Sequence, residues 1–198
     1  GDAYRASARG KSNQPAVFLD SAGRAFATDA HSLPSARSQG EPMTGRFNLS
    51  AGANFEHVVM GEDNQVLLMA SDAGYGFITN FKDLVSKNKN GKALVSVPKG
   101  GLLLSPIRVN EVASDYCMAI SNEGRMLLFP LRDLPKLGKG KGNKIISIPG
   151  AKVQAREEFV KVLAVVPEGS SVTLHAGKRK LTLKPSDLEH YYGERGRR

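Results

Sequence analysis

The sequence predicts an all-β, propeller-like array, and three observations carry that prediction. A glycine-cornered hairpin recurs four times: DSAGRAF around Gly23, SDAGYGF around Gly74, SNEGRML around Gly124 and HAGKRKL around Gly177, at spacings of 51, 50 and 53 residues. A leucine follows each glycine by 10, 10, 10 and 11 residues (Leu33, Leu84, Leu134, Leu188), and an aspartate precedes three of these leucines (Asp83, Asp133, Asp187). A glycine-bearing polar loop then closes each copy: SQGEPMTG, KNKNGK, GKGKGNK and GERGRR. Short strands repeated at a period near 50 residues mark a radial β array. The units run approximately 1–50, 51–100, 101–150 and 151–198, read as a single domain.

In chain order, residues 1–13 are basic, small and turn-prone, like the tail of a preceding unit. Gly10-Lys11-Ser12 is not a phosphate loop, because position 5 is Arg5 where a glycine is required and no helix-forming run follows. Pro15–Asp20 and Arg24–Thr28 form the first hairpin, and Val66–Ala70 with Tyr75–Phe81 the second, preceded by a strand at Glu56–Met60. The third pairs the strand from Cys117 with Met126–Phe129, whose unbroken apolar run is expected of a strand covered on both faces. Gly124 supplies the positive φ of its corner, which Asn122 is expected to close onto its own backbone. A third strand is expected in the first three copies, at Met43–Leu49, Ala93–Val97 and Ile145–Ile148. Residues 151–166 fit either a helical stripe or a strand, and repeat register selects a strand from Phe159. Ser186 and Glu189 read as a capping box for a helical turn at Asp187–Tyr191. The recurring aspartates read as caps of the turn after the second strand.

Composition narrows the classes. The 198 residues are 40% apolar, enough for a real core, and the absence of tryptophan excludes WD40 and kelch blades. One cysteine forms no internal disulfide and fits a reducing compartment. The longest apolar run is five residues, Val162 to Val166, so no membrane-spanning helix or signal peptide is expected. The start at Gly1 and the end at Arg197-Arg198, inside a basic loop, read as a piece of a longer chain.

Net charge is +9, and residues 121–150 and 175–198 each hold +4 of it. Charge gathered where the repeat places loops points to a polyanion, nucleic acid before membrane, since no lysine-rich amphipathic helix is present. The candidate contacts are Lys136, Lys139, Lys141 and Lys144 on a glycine-spaced loop whose backbone can lie close to a ligand. Lys178, Arg179 and Lys180 follow on the fourth hairpin, where strand alternation turns two of the three outward. Arg195, Arg197 and Arg198 occupy the fourth copy's loop, and Lys87, Lys89, Lys92 and Arg37 complete the set. Lysine neutralises phosphate without demanding base geometry. The strand aromatics Phe18, Phe26, Phe77 and Phe129 read as core, which argues against single-strand recognition. Cys117 reads as a buried strand residue, and His31, His57, His175 and His190 have no metal-ligand spacing. No cofactor, metal site or catalytic constellation is expected.

ASDAGYGF at 70–77, GKGKGNKI at 138–145, HAGKRKL at 175–181 and GERGRR at 193–198 resemble the C-terminal domain family of ParC, the A subunit of bacterial topoisomerase IV. SNQPAVFLDSAGR at 12–24 and LPSARSQGEP at 33–42 agree. The resemblance implies a β-pinwheel of about four to five four-stranded blades, in a closed or an open ring, with strands exchanged between neighbours. It implies a noncatalytic, sequence-tolerant module that binds and bends duplex DNA and steers segment capture. The gyrase A paralogue carries a Q-R-R-G-G-K/R-G box that fixes a chiral wrap, and no stretch here matches it. The family's cleavage tyrosine lies in an upstream domain, so Tyr4, Tyr75, Tyr116, Tyr191 and Tyr192 do not inherit that role. Implied partners are double-stranded DNA, the catalytic A-subunit core and the ParE subunit, with a condensin-type protein (MukB) as a further one. The piece is expected to be a monomer in the bacterial cytoplasm, at the nucleoid. The rival reading is a protein-interaction platform that docks the topoisomerase core or the condensin-type protein.

Overall fold

The computed structural model describes residues 3–197. The first unit gives β1 (Pro15–Asp20) and β2 (Arg24–Asp29); the second gives β3 (Phe55–Val59), β4 (Val66–Ser71), β5 (Tyr75–Asn80) and β6 (Lys92–Ala93). The third gives β7 (Ile107–Val109), β8 (Tyr116–Ser121), β9 (Met126–Pro130) and β10 (Asn143–Lys144). The fourth gives α1 (Gly150–Gln154), β11 (Val160–Val166), β12 (Val172–Ala176), β13 (Arg179–Leu183) and α2 (Pro185–Leu188).

All four hairpins form where the glycine corners place them. Gly23, Gly74, Gly124 and Gly177 have φ of 87°, 88°, 84° and 61°, a region in which a Cβ is strained. The sheets, however, do not coincide with the sequence units. Strand orders are β3-β1-β2-β6, β10-β5-β4-β7, β11-β8-β9 and β12-β13. For the first three hairpins one rule holds: the hairpin of one unit is flanked by strands of the next, the opening strand on one side and the closing strand on the other. In the third sheet the closing strand is reduced to a parallel bridge between Leu128 and Tyr192. Two sheets therefore have four strands, one has three and one has two, where four-stranded blades throughout were expected.

Strand alternation then builds the core between blades. Leu67, Met69 and Phe77 pack toward the first hairpin with Val17, Leu19 and Ala25, while Leu68, Ala70 and Ile78 pack toward the third with Cys117, Ala119 and Phe129. Met118 and Leu128 face the fourth unit, against Val166 and Leu188. A central blade is covered on both faces, and this is why its strands read as continuous apolar runs. Leu84, Leu134 and Leu188 are at most 5% exposed, so the leucine ten or eleven residues after each of these corners is a core plug.

Several local expectations are corrected. Met43–Leu49 is not a strand; Met43–Gly45 forms a 3-10 turn. Of the other two expected third strands, Ala93–Val97 is reduced to β6 and a bridge from Val95 to Gly140, and Ile145–Ile148 is not a strand, the pairing falling just upstream in β10. Leu94, Val95, Ile145 and Ile146 are buried in the core instead. Strand β11 starts at Val160, one residue after the expected Phe159, and a short helix α1 precedes it, ending before Ala155, the first residue of the helical stripe. The capping box lies two residues earlier than Ser186 and Glu189: Lys184 N–H donates to Asp187 Oδ2 at 2.8 Å, and Pro185 takes the first helical position. Asp83 and Asp133 sit in equivalent 3-10 turns, where the Asp83 carboxylate accepts only a 3.4 Å bond from Thr79 Oγ1.

Asn122 closes a different contact from the one expected. The residue two before the glycine makes a two-point clamp on the next unit. Ser21 N–H donates to Asn54 O (2.8 Å) and Ser21 Oγ accepts from Asn54 N–H (3.0 Å). Asp72 repeats this with Leu102 (2.8 and 2.7 Å), and Asn122 with Phe159 (3.0 and 2.9 Å). At the fourth corner the same place holds His175.

Candidate nucleic-acid interface

Strand exchange decides where the cations go. The loop after β9 leaves its own hairpin and runs along the outer edge of β5. Ile78 N–H donates to Pro135 O and Leu137 N–H to Ile78 O, both at 2.9 Å. Gly140 exchanges bonds with Leu94 O (2.9 Å) and Ser96 N–H (3.0 Å), and Asn143 and Lys144 pair with Gly76 and Tyr75. Lys136, Lys139, Lys141 and Lys144 are all exposed along this track, and Lys141 Nζ lies 4.4 Å from the centroid of the Tyr75 ring. The loop is bonded along its length instead of hanging free. Its glycines serve the fold: a Cβ on Gly142 would stand 2.0 Å from Gly76 O.

The flanking loops repeat the manoeuvre. In the second unit, Lys89 O accepts from Asn48 N–H at 2.9 Å, placing Lys87 and Lys89, both exposed, on the outer edge of the first blade. In the fourth, Gly193 N–H donates to Leu128 O, Gly196 N–H to Ile145 O (both 2.9 Å) and Ser147 N–H to Arg197 O (3.1 Å). Arg195 Nη1 donates to Lys144 O at 2.7 Å, so the fourth loop is joined to the third. Three crossing loops thus occupy equivalent positions on successive hairpins and form one row.

Not every sequence candidate joins it. Lys92 is turned inward, its Nζ donating to Asp83 O. Arg37 is exposed, on a loop that crosses no hairpin among the described residues. Lys178, Arg179 and Lys180 are all exposed, where two of three were expected outward, because a two-stranded hairpin has little to cover either face. Arg198 lies outside the described residues. Sequence reasoning missed the residue after each corner glycine, which holds the crossing loop. Arg24 donates to Asn90 O (2.8 Å) and Gly91 O (3.0 Å), Tyr75 lies beneath Lys141, and Arg125 donates to Ser147 O at 3.0 Å and pairs with the buried Glu158. The repeat of Arg, Tyr and Arg at that place was the available signal.

Chemistry beyond charge is not assembled here. Among the described residues no group of His, Cys, Asp and Glu could hold a metal, and no helix is long and apolar enough to cross a membrane. Burial pushes the Cys117 thiol far above its ordinary range, and partial burial against Tyr116 raises the Tyr192 hydroxyl.

Hairpins flanked by the next unit's strands, with loops crossing along one edge, define the class of the gyrase-type C-terminal β-propeller. The family described as DNA gyrase C-terminal domain, beta-propeller, matches residues 65–110 and 115–166. The chain is 56% identical to the A subunit of DNA topoisomerase 4 from Pseudomonas aeruginosa and 53% identical to its counterpart from Escherichia coli K12, each over all 198 residues. It spans 26% of the length of either relative. The solved E. coli ParC C-terminal domain superposes with a TM-score of 0.90 at 53% identity, over 96% of this chain and 76% of that one. A gyrase A C-terminal domain, at 12% identity and a TM-score of 0.66 over 96% and 60% of the two chains, shares the fold alone. The chain belongs to the family of topoisomerase IV ParC C-terminal domains, and the catalytic parts of those proteins lie outside the region it matches.

Proposed function

We propose that this chain is a noncatalytic, sequence-tolerant module that binds and bends duplex DNA and steers which segment the rest of topoisomerase IV, the catalytic A-subunit core and ParE, captures. One observation carries the reading: the crossing loops of the last three units form a continuous row that offers Lys87, Lys89, Lys136, Lys139, Lys141, Lys144, Arg195 and Arg197 on one edge. Point charges on anchored backbone neutralise phosphates without reading bases. The module would act as a monomer in the bacterial cytoplasm. With about six phosphates contacted, affinity for linear duplex falls roughly a thousandfold between 50 and 200 mM salt. Replacing Lys139, Lys141 and Lys144 together by alanine weakens binding to every sequence alike and flattens the salt slope by about 0.9 for each phosphate lost. A slope unchanged by the triple substitution refutes the reading.

A second reading is favoured by the fourth hairpin. It carries no flanking strands among the described residues, and Leu181 beside Arg179 and Lys180 is 57% exposed. An apolar side chain among cations suits an acidic protein surface, such as the topoisomerase core or a condensin-type protein of the MukB kind. Charge reversal at Arg179 that abolishes protein capture and spares DNA affinity separates the two.

A further inference from the structure

The repeat is broken at one place on the outer edge. In the second blade the outward N–H and C=O of Ile78 are taken by the crossing loop, and in the third the Leu128 carbonyl is. Ala27 holds the same place in the first blade, pairing with Val17 as Ile78 pairs with Leu68, and its outward groups have no partner among the described residues. The crossing loop stands off instead. Between it and β2 lie two adjoining cavities of about 400 and 300 Å³ that share Ala27, Thr28 and Lys87.

The cause is one residue. Three positions after the buried leucine of the 3-10 turn, the third unit has Leu137, which packs into the core and draws its loop onto Ile78. The second unit has Lys87 in that place, and an ammonium group cannot take the apolar seat. The rest of this loop is nevertheless fixed. Asn48 holds Lys89 O, Arg24 holds Asn90 O and Gly91 O, and Asn88 Oδ1 accepts from Asn90 N–H at 2.9 Å. Lys87 and Lys89 therefore line the larger cavity from an anchored frame. Arg46 forms its wall, already engaged by Glu41, Ser32 and Thr28, and Asp29 closes the far end of the smaller one.

We infer that this slot on the first blade is a seat for one phosphate of the DNA backbone, held by Lys87, Lys89 and the free N–H of Ala27. It rests on the DNA-binding reading and adds to it a subsite with a backbone donor, which in the second blade is taken by Pro135 O. A phosphate satisfies both ammonium groups and an amide that otherwise faces solvent. The carboxylate of Asp29 keeps the anion at the Lys89 end.

Amide hydrogen exchange on the 198-residue chain, with and without duplex DNA, tests this. Free protein exchanges Ala27 N–H quickly, and DNA slows it by about tenfold or more. Lys87→Ala with Lys89→Ala abolishes that protection and lowers the salt slope of DNA binding by about 0.9, the increment of one phosphate. Lys87→Leu closes the slot, slowing Ala27 exchange without DNA while costing the same increment. The inference is overturned if DNA leaves Ala27 exchange unchanged, or if the double variant keeps the full slope. It is equally overturned if inorganic phosphate or polyglutamate at matched charge concentration protects Ala27 as well as DNA does. Wild-type chain showing no salt-dependent binding at all defeats the underlying reading instead.

Discussion

At the second hairpin corner the Asp72 carboxylate, 3% exposed, accepts from Leu102 N–H and from both terminal nitrogens of Arg156, at 3.2 and 2.8 Å. Arg156 is held at φ 57° and stacks 4.1 Å from the Phe159 ring centroid, so one ion pair ties a hairpin to the entrance of the fourth unit. Asp72→Ala is expected to cost about 3 kcal/mol in urea unfolding, at the lower end of the range for breaking a buried pair because Arg156 reaches water. Gly142→Ala, with φ at 80° and Gly76 O in the way, costs about 2 kcal/mol or more by the same measurement. Cys117 gives a pH signature. Its thiol ionises near pH 8.5 when unfolded and is held neutral when folded, so only the unfolded state loses a proton as pH rises. Stability should therefore fall above about pH 8.5, by at most about 1.4 kcal/mol per pH unit, and Cys117→Ala should flatten that slope. Burial of Cys117 was legible from its strand pattern. The partners of Asn122 and Asp72 were not, since they lie in the following unit.

Among the elements, hairpins were the most legible, because corner glycine and alternation are local. The closing strands were the least. Their apolar residues suggested ladders, but Leu94, Val95, Ile145 and Ile146 are buried plugs, and the two-residue strands β6 and β10 lie at or before them. The β12–β13 hairpin pairs with no further strand among the described residues, and its small core is made by Val172, Leu174 and Leu183 against Met118 and Val166. Isolated two-stranded ribbons are marginal. Amides of β12 and β13 should exchange well before those of β4 and β5, which sit inside a four-stranded sheet packed on both faces. Equal protection across the two hairpins would contradict this.

At the scale of the whole molecule, the three corner clamps set how each blade meets the next, and the row of crossing loops inherits that geometry. On the proposed function, DNA laid along the row takes its bend from these junctions. Asn122→Ala, which removes the side-chain half of the third clamp, is expected to reduce the DNA bend read by end-to-end energy transfer while the salt slope of binding holds. A proportionate loss of both would place Asn122 in the contact surface instead. The sequence by itself determined the repeat, its four corners, its regularly spaced leucines and the segregation of positive charge, because each follows from residue type at short range. Only the tertiary structure decided that the second, third and fourth units add strands to the preceding unit's hairpin, that the lysine loop is an anchored edge, and that Ala27 is left bare where Leu137 gives way to Lys87. Strand exchange is a relation between residues about fifty apart, and no local pattern encodes which edge a two-residue strand will find.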